Sequence, residues 1–219
     1  MQKYFDEELG GLKEKLLIMG SYAESAVSQA VQAVTERNDT LARQVQDNDN
    51  IMDQYEIEID DLAIHLLSKA PLATDLRLIT VAMKISQNLE RIGDEATTIS
   101  RRAVELNQEA QLKAYLDIPH MAAVALGMLK ESLDSFVNKQ PEKARAVIPR
   151  DKEVDAINRQ LYRELSSYMV ENPSTISRCL NLMTVSKSLE RVADHATNIA
   201  QEVVYLWEAR DIRHEAHRP

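Results

Sequence analysis

The sequence predicts an all-α protein: a tandem repeat of two antiparallel three-helix bundles, six long helices in all. Three observations predict it. Chain-turning residues are scarce, apolar residues recur in helical seams, and the two halves share polar residues at a fixed offset. Gly is 5 and Pro 6 of 219 residues, together about 5% where about 12% is ordinary. A turn-dense sandwich or barrel is therefore excluded. Apolar residues make up 44% and charged residues 28%, a mixture suited to long amphipathic helices.

The first seam runs Leu9, Leu12, Leu16, Met19, Ala23, Ala26, Ala30 and Ala33. Its steps alternate 3 and 4, the spacing of a packed helix. Asn38-Asp39 ends it, and Asp39 or Thr40 is expected to cap the next helix. That helix carries Leu41, Val45, Asn48, Met52, Tyr55, Ile59, Leu62 and Leu66, and Ala70-Pro71 stops it. The third seam is Leu78, Ala82, Ile85, Leu89, Ile92, Ala96, Ile99, Ala103 and Leu106. Short connections make these three an up-down-up bundle.

A polar break over Gln108–Asp117 separates the halves, giving expected domains of 1–110 and 111–219. Pro119 is expected to start the fourth helix, with Ala122, Leu126, Leu129, Leu133 and Phe136 as its seam. Gly127 lies inside it and weakens it by about 1 kcal/mol relative to Ala. Pro141 opens the fifth, with Val147, Val154, Ile157, Leu161, Leu165 and Tyr168. Pro173 precedes the sixth, with Leu182, Val185, Leu189, Val192, Ala196, Ile199, Val203 and Leu206.

The third and sixth helices match at an offset of 100: MKISQNLERIGDEATTI (83–99) and MTVSKSLERVADHATNI (183–199) share 9 of 17 residues. Any seam resembles another, but Ser86/Ser186, Glu90/Glu190, Arg91/Arg191, Asp94/Asp194 and Thr97/Thr197 are polar. Helices two and five align at 102 through Asp49/Asp151, Asp53/Asp155 and Pro71/Pro173. The chain is a duplicated three-helix unit.

Composition also excludes functions. Twenty-six basic against 35 acidic residues give a net charge of −9, which repels nucleic acid and anionic lipid. The single Cys179 excludes an internal disulfide and a Cys-based zinc site. The acidic N-terminus has no secretion-signal core, and the longest uncharged apolar stretch, near Met121–Leu129, is far short of a membrane span. A cytoplasmic protein without direct membrane insertion is expected. No E-x-x-H, Walker, dinucleotide-binding or nucleophile-elbow motif occurs, and no deep substrate pocket is expected.

Each half carries D-x-x-x-D on its second helix and E-R-x-x-D on its third. A spacing of four puts both carboxylates on one helix face. Chance alone gives about five acidic i,i+4 pairs at this composition, and such pairs are mildly destabilising. Two features set these apart: they recur at matching places in both repeats, and they flank the seams. Asp49, Asp53, Glu56 and Asp60 each lie one residue past a core position, as does Glu90. The candidate metal ligands are thus Asp49, Asp53, Glu90 and Asp94 in the first repeat, and Asp151, Asp155, Glu190 and Asp194 in the second. Converging carboxylates need nearby basic residues or a metal to neutralise them. An all-oxygen set suits Mg, Mn, Ca or ferric iron. Glu56 and Asp60 align with Asn158 and Tyr162, so the second site leans on Asp151 and Asp155. His195 aligns with Glu95 and is expected on the helix surface or in support of a ligand. His65, His120, His214 and His217 fall in no ligand pattern.

LERIGD (89–94) and LERVADHATNI (189–199), on a duplicated three-helix unit, closely resemble the PhoU family of phosphate-transport regulators. PLATDLR (71–77) is similar to that family's P-x-x-x-D-L-R. The resemblance covers residues 5–208. It implies a cytoplasmic, non-enzymatic protein that binds multinuclear metal clusters through the eight carboxylates above. The metal is iron in some members and a divalent ion of the Mn, Mg or Zn type in others. It also implies negative regulation of the phosphate-starvation response, with a sensor histidine kinase and the ATPase of a phosphate ABC transporter as partners. The second repeat departs from the pattern at Ile176-Ser177-Arg178, and Thr98 stands where Asn198 stands in the second. A homodimer, a metal-dependent hydrolase and a metal-free helical scaffold stay open on the residues alone.

Overall fold

The computed structural model describes residues 2–69, 72–112, 115 and 117–213. Ala70-Pro71, His214 and His217 lie outside the described residues. Among the described residues the chain is helical, with no strand. The first repeat comprises α1 (Gln2–Thr35), α2 (Asp39–Asp47), α3 (Asn50–Leu67) and α4 (Ala73–Asn107). The second comprises α5 (Asp117–Val137), α6 (Pro141–Val147), a 3₁₀ turn (Ile148–Arg150), α7 (Asp151–Glu171), another 3₁₀ turn (Pro173–Thr175) and α8 (Ile176–Glu208).

Six arms are therefore present as expected, but the second arm of each repeat is broken. In the first, the run Asp47-Asn48-Asp49-Asn50 interrupts the helix, because short polar side chains compete for backbone hydrogen bonds. Asn48, read as a seam residue, is exposed at that break. In the second, Pro149 lies in the 3₁₀ turn, where its missing N–H cannot continue the helical ladder. The breaks coincide at the 102-residue offset and place Asp49 and Asp151 at helix starts. The turns entering these arms match too: Arg37 and Lys139 are both left-handed, with φ of 56° and 55°. Asn38, rather than Asp39 or Thr40, caps α2 by accepting from the Leu41 N–H at 3.0 Å. Asp39 instead accepts from Asn107 Nδ2 at 2.6 Å.

The predicted seams are mostly buried, and all nine residues of the third are, while on the second Leu41, Tyr55 and Leu62 are half-buried. The structure adds a second buried stripe on the central helices: Val27, Val31 and Val34 on α1, and Val124, Ala125 and Met128 on α5. On α1 its cause is that the repeats pack against each other; on α5 the stripe shares a face with Met121 and Ser132, which meet Ser186 and Ala196 of α8 in the same repeat. α4 lies antiparallel to α8 and α1 lies against α5, so these four helices have two buried faces and one continuous core results. At the α1–α5 crossing, a Cβ on Gly20 would fall 2.5 Å from Leu133 Cδ1, so any larger residue there requires the Leu133 side chain to move. Polar pairs tie α4 to α8: Lys84 Nζ donates to both oxygens of buried Glu202 (3.0 and 3.1 Å) and Arg191 Nη1 to Glu95 Oε1 (3.1 Å).

Candidate metal centre

α3 and α7 run beside the motif-bearing helices α4 and α8. In the first repeat this packing is close: a Cβ on Gly93 would lie 2.9 Å from Met52 Cγ. In the second repeat Ala193 and the smaller Val154 stand at the positions equivalent to Gly93 and Met52.

Asp53, Glu56, Glu90 and Asp94 gather in the first repeat. Burial first, then Asp94, Glu56 and Asp53, push the Glu90 carboxyl up to about 7 against the opposing Arg91. Burial and then Asp60 also raise Glu56. Arg91 is the cluster's own cation: its Nε lies 3.3 Å from Glu90 Oε2 and its Nη1 donates to Asp94 Oδ2 at 3.0 Å. Asp49 stands apart. Its Oδ1 accepts from Thr97 Oγ1 at 2.8 Å, and it faces the boundary between the repeats. Glu56, absent from the expected ligand set, takes a place in the group. Its one-past-the-seam position was the available signal.

Asp151, Asp155, Glu190 and Asp194 gather in the second repeat. Burial raises Asp151, as do Asp155 and Glu190. Asp194 keeps an exposed edge, yet burial, Asp151 and Glu190 push its carboxyl up to about 6. Desolvation and like charge act in the same direction on this group. Here the cation is Lys187, whose Nζ pairs with Glu190. Arg159 Nη1 lies 3.5 Å from Asp155 Oδ2. Asp151 Oδ1 is buried with no hydrogen-bond partner.

Between α4 and α8 runs an open cleft of about 750 Å³, a broad groove rather than a deep pocket. Its walls repeat at the 100-residue offset: Arg91 and Arg191, Asp94 and Asp194, Glu95 and His195, Thr97 and Thr197, Thr98 and Asn198. The two E-R-x-x-D motifs thus face each other across the boundary. His195 Nδ1 lies 2.9 Å from Asn88 Oδ1, and burial lowers its pKa. His65 sits 3.3 Å from Glu8, remote from both clusters, and His120 is exposed.

The donors are all oxygen, and in each cluster carboxylates outnumber cations. That set fits a hard cation, and the orphaned Asp151 Oδ1 is the kind of atom a bound ion would satisfy. Among the described residues, no three Asp, Glu, His or Cys side chains are already drawn into a geometry that holds one ion.

Two three-helix units joined through their longest helices, with an acidic cluster at matching places in each, define a duplicated helical-bundle protein. The chain belongs to the PhoU family: the family model described as the PhoU domain matches it twice, over residues 16–103 and 118–203. A Pseudomonas aeruginosa protein named phosphate-specific transport system accessory protein PhoU homolog is 39% identical over 216 residues, covering 98% of this chain and 89% of that one. A Zymomonas mobilis protein of the same name is 40% identical over 205 residues, 93% of this chain and 86% of its own length. The crystal structure of PhoU from Pseudomonas aeruginosa matches with a TM-score of 0.91 at 39% identity, over 94% of this chain and 100% of that one. The phosphate transport system regulatory protein PhoU from Streptococcus pneumoniae matches with a TM-score of 0.89 at 26% identity, over 95% and 99%. No helix among the described residues is long and apolar enough to cross a membrane.

Proposed function

We propose that this chain is a cytoplasmic, metal-binding, non-enzymatic regulator of phosphate uptake. It represses the phosphate-starvation response when phosphate is plentiful, as an adaptor on a sensor histidine kinase and the ATPase of a phosphate ABC transporter. The relatives' names support the phosphate-transport role. The observation that carries the metal reading is the pair of carboxylate clusters with raised pKa values at equivalent places in the two repeats.

The candidate residues are Asp53, Glu56, Glu90 and Asp94 in the first repeat, with Asp49 at its edge. In the second they are Asp151, Asp155, Glu190 and Asp194. Iron or a divalent ion of the Mn, Mg or Zn type would neutralise each group and so hold α3 to α4 and α7 to α8. The negative surface favours a basic face on the partner, with association weakening as salt screens it. Deletion in phosphate-replete cells tests the regulatory role: starvation genes should switch on. Genes that stay silent, together with metal-dependent phosphoester hydrolysis by the pure protein, would establish an enzyme instead.

A further inference from the structure

Arg91 and Arg191 occupy equivalent positions but make different contacts. Arg191 reaches across the cleft to Glu95, and Lys187 pairs with Glu190 in its own cluster. In the first repeat, position 87 is Gln and the residue across from Arg91 is His195, whose ring Arg91 repels when protonated. Among the described residues Arg91 meets His195 rather than a carboxylate across the cleft, and it stays on Glu90 and Asp94. Each motif-bearing helix therefore supplies one basic side chain to its own cluster, placed where a bound ion would need the same oxygens, and Arg159 of α7 adds a longer contact in the second.

We propose that Arg91 and Lys187 are exchangeable internal counter-ions, which a metal must displace to enter, and that they make the two sites unequal. This rests on the metal-binding reading above. Arg91 engages two carboxylates at 3.0 and 3.3 Å, whereas in the second cluster Lys187 engages Glu190, the exposed Arg159 touches Asp155 only at 3.5 Å, and Asp151 Oδ1 is left unpartnered. The second repeat therefore takes a divalent cation first. Displacing a cation from shared oxygens costs its attraction to them, and removing it also ends its repulsion of the incoming ion.

Titration of the full chain with Mn²⁺, followed by calorimetry, reads this directly. The first repeat is isolated in the Asp194→Ala background and the second in the Asp94→Ala background. Arg91→Gln should tighten the first site about 5- to 10-fold, and Lys187→Gln the second about 3-fold. Arg91→Lys keeps the charge and should stay within about 2-fold of the parent. Unchanged far-ultraviolet circular dichroism checks the fold, and the Lys187 variant carries the test if the Arg91 variant unfolds. If the parent binds Mn²⁺ and both Gln variants bind equally or more weakly, the counter-ion role is overturned and the metal reading stands. If only the Gln variants bind, the counter-ions hold and the native chain is not a metal protein. If none binds, both fall.

Discussion

The two repeats place the same E-R-x-x-D motif on equivalent helices and neutralise it by different means. In the first, Arg91 pairs within its own cluster. In the second, Arg191 is drawn across the boundary to Glu95 and Lys187 takes its place. What differs is the neighbourhood, at Gln87 against Lys187 and at Glu95 against His195. Duplication supplies two copies of a site, and contact between the copies makes them unlike. Conserved spacing therefore fixes where the carboxylates stand, while the facing repeat decides which cation attends them.

The largest expected effect separates the repeats outright. Asp94→Ala and Asp194→Ala should each lower bound Mn²⁺ per chain by about half, because each empties one cluster. Metal analysis after dialysis measures it. A single substitution that empties both clusters would show that the sites fill as one unit.

A smaller difference lies in proton binding. Glu90 is pushed up to about 7 and Asp194 to about 6, both above their values in an unfolded chain. The folded state thus holds protons that the unfolded state releases, and metal-free stability falls as pH rises through the interval. For Glu90, whose side chain is 13% exposed, this amounts to roughly 2 kcal/mol lost between about pH 4.5 and 7. For the more exposed Asp194 it is about 1 kcal/mol, complete by about pH 6, after allowance for solvent screening. Urea unfolding in chelator at several pH values should show both slopes. Glu90→Gln removes the one extending to 7 and Asp194→Asn the earlier one. A metal-free protein that grows more stable over that range would reverse the sign of these assignments. Metal affinity runs the other way and weakens as these carboxyls protonate.

Much of this comparison was legible in the sequence. The seam through Leu89 and Leu189 set each helix's buried face, and Glu90 and Glu190, one residue on, fell beside it. The polar identities revealed the duplication. Periodicity assigns each helix one buried face, however, so it could not reveal the second stripe at Val27, Val31 and Val34, nor the cleft between α4 and α8. Both arise from packing between repeats. The break at Asp47–Asn50 was written in a run of four Asx residues but was masked by the seam that continues on either side. Asp49 and Glu56 exchanged prominence because side-chain direction at a helix start follows the break, and Thr97 offers Asp49 a hydroxyl.

Packing beneath the clusters gives the third contrast. The first repeat pairs Met52 with Gly93, where the second has Val154 and Ala193 at those positions. Gly93→Ala would gain about 1 kcal/mol of helix propensity and lose about 1–3 kcal/mol to overpacking against Met52. The net expectation is about 1 kcal/mol of destabilisation, measured by thermal or urea unfolding. Adding Met52→Val copies the second repeat's pair and should recover most of the loss. A single Gly93→Ala variant as stable as the parent would mean that α3 shifts to accommodate it.

The subtlest test moves Arg91 without touching any candidate ligand. His195 occupies the place that Glu95 holds opposite Arg191. His195→Glu would give Arg91 the same kind of partner across the cleft. The guanidinium should then divide its time between Glu90 and Asp94 on one side and the new carboxylate on the other. With its counter-ion partly withdrawn, the first repeat should bind Mn²⁺ about 2- to 4-fold more tightly, within the range of a single exposed ion pair. The added negative charge contributes a long-range attraction of its own, which about 150 mM salt screens beyond roughly 8 Å. Measurement at that ionic strength therefore isolates the part due to Arg91. His195→Gln is the control: it can keep a hydrogen bond to Asn88 and offers Arg91 no charge, so first-site affinity should stay at the parent value. In the Arg91→Gln background, His195→Glu should lose its effect, since no guanidinium is left to withdraw. An equal gain with and without Arg91 would assign the effect to the added charge alone, and the inequality of the repeats would then need another cause.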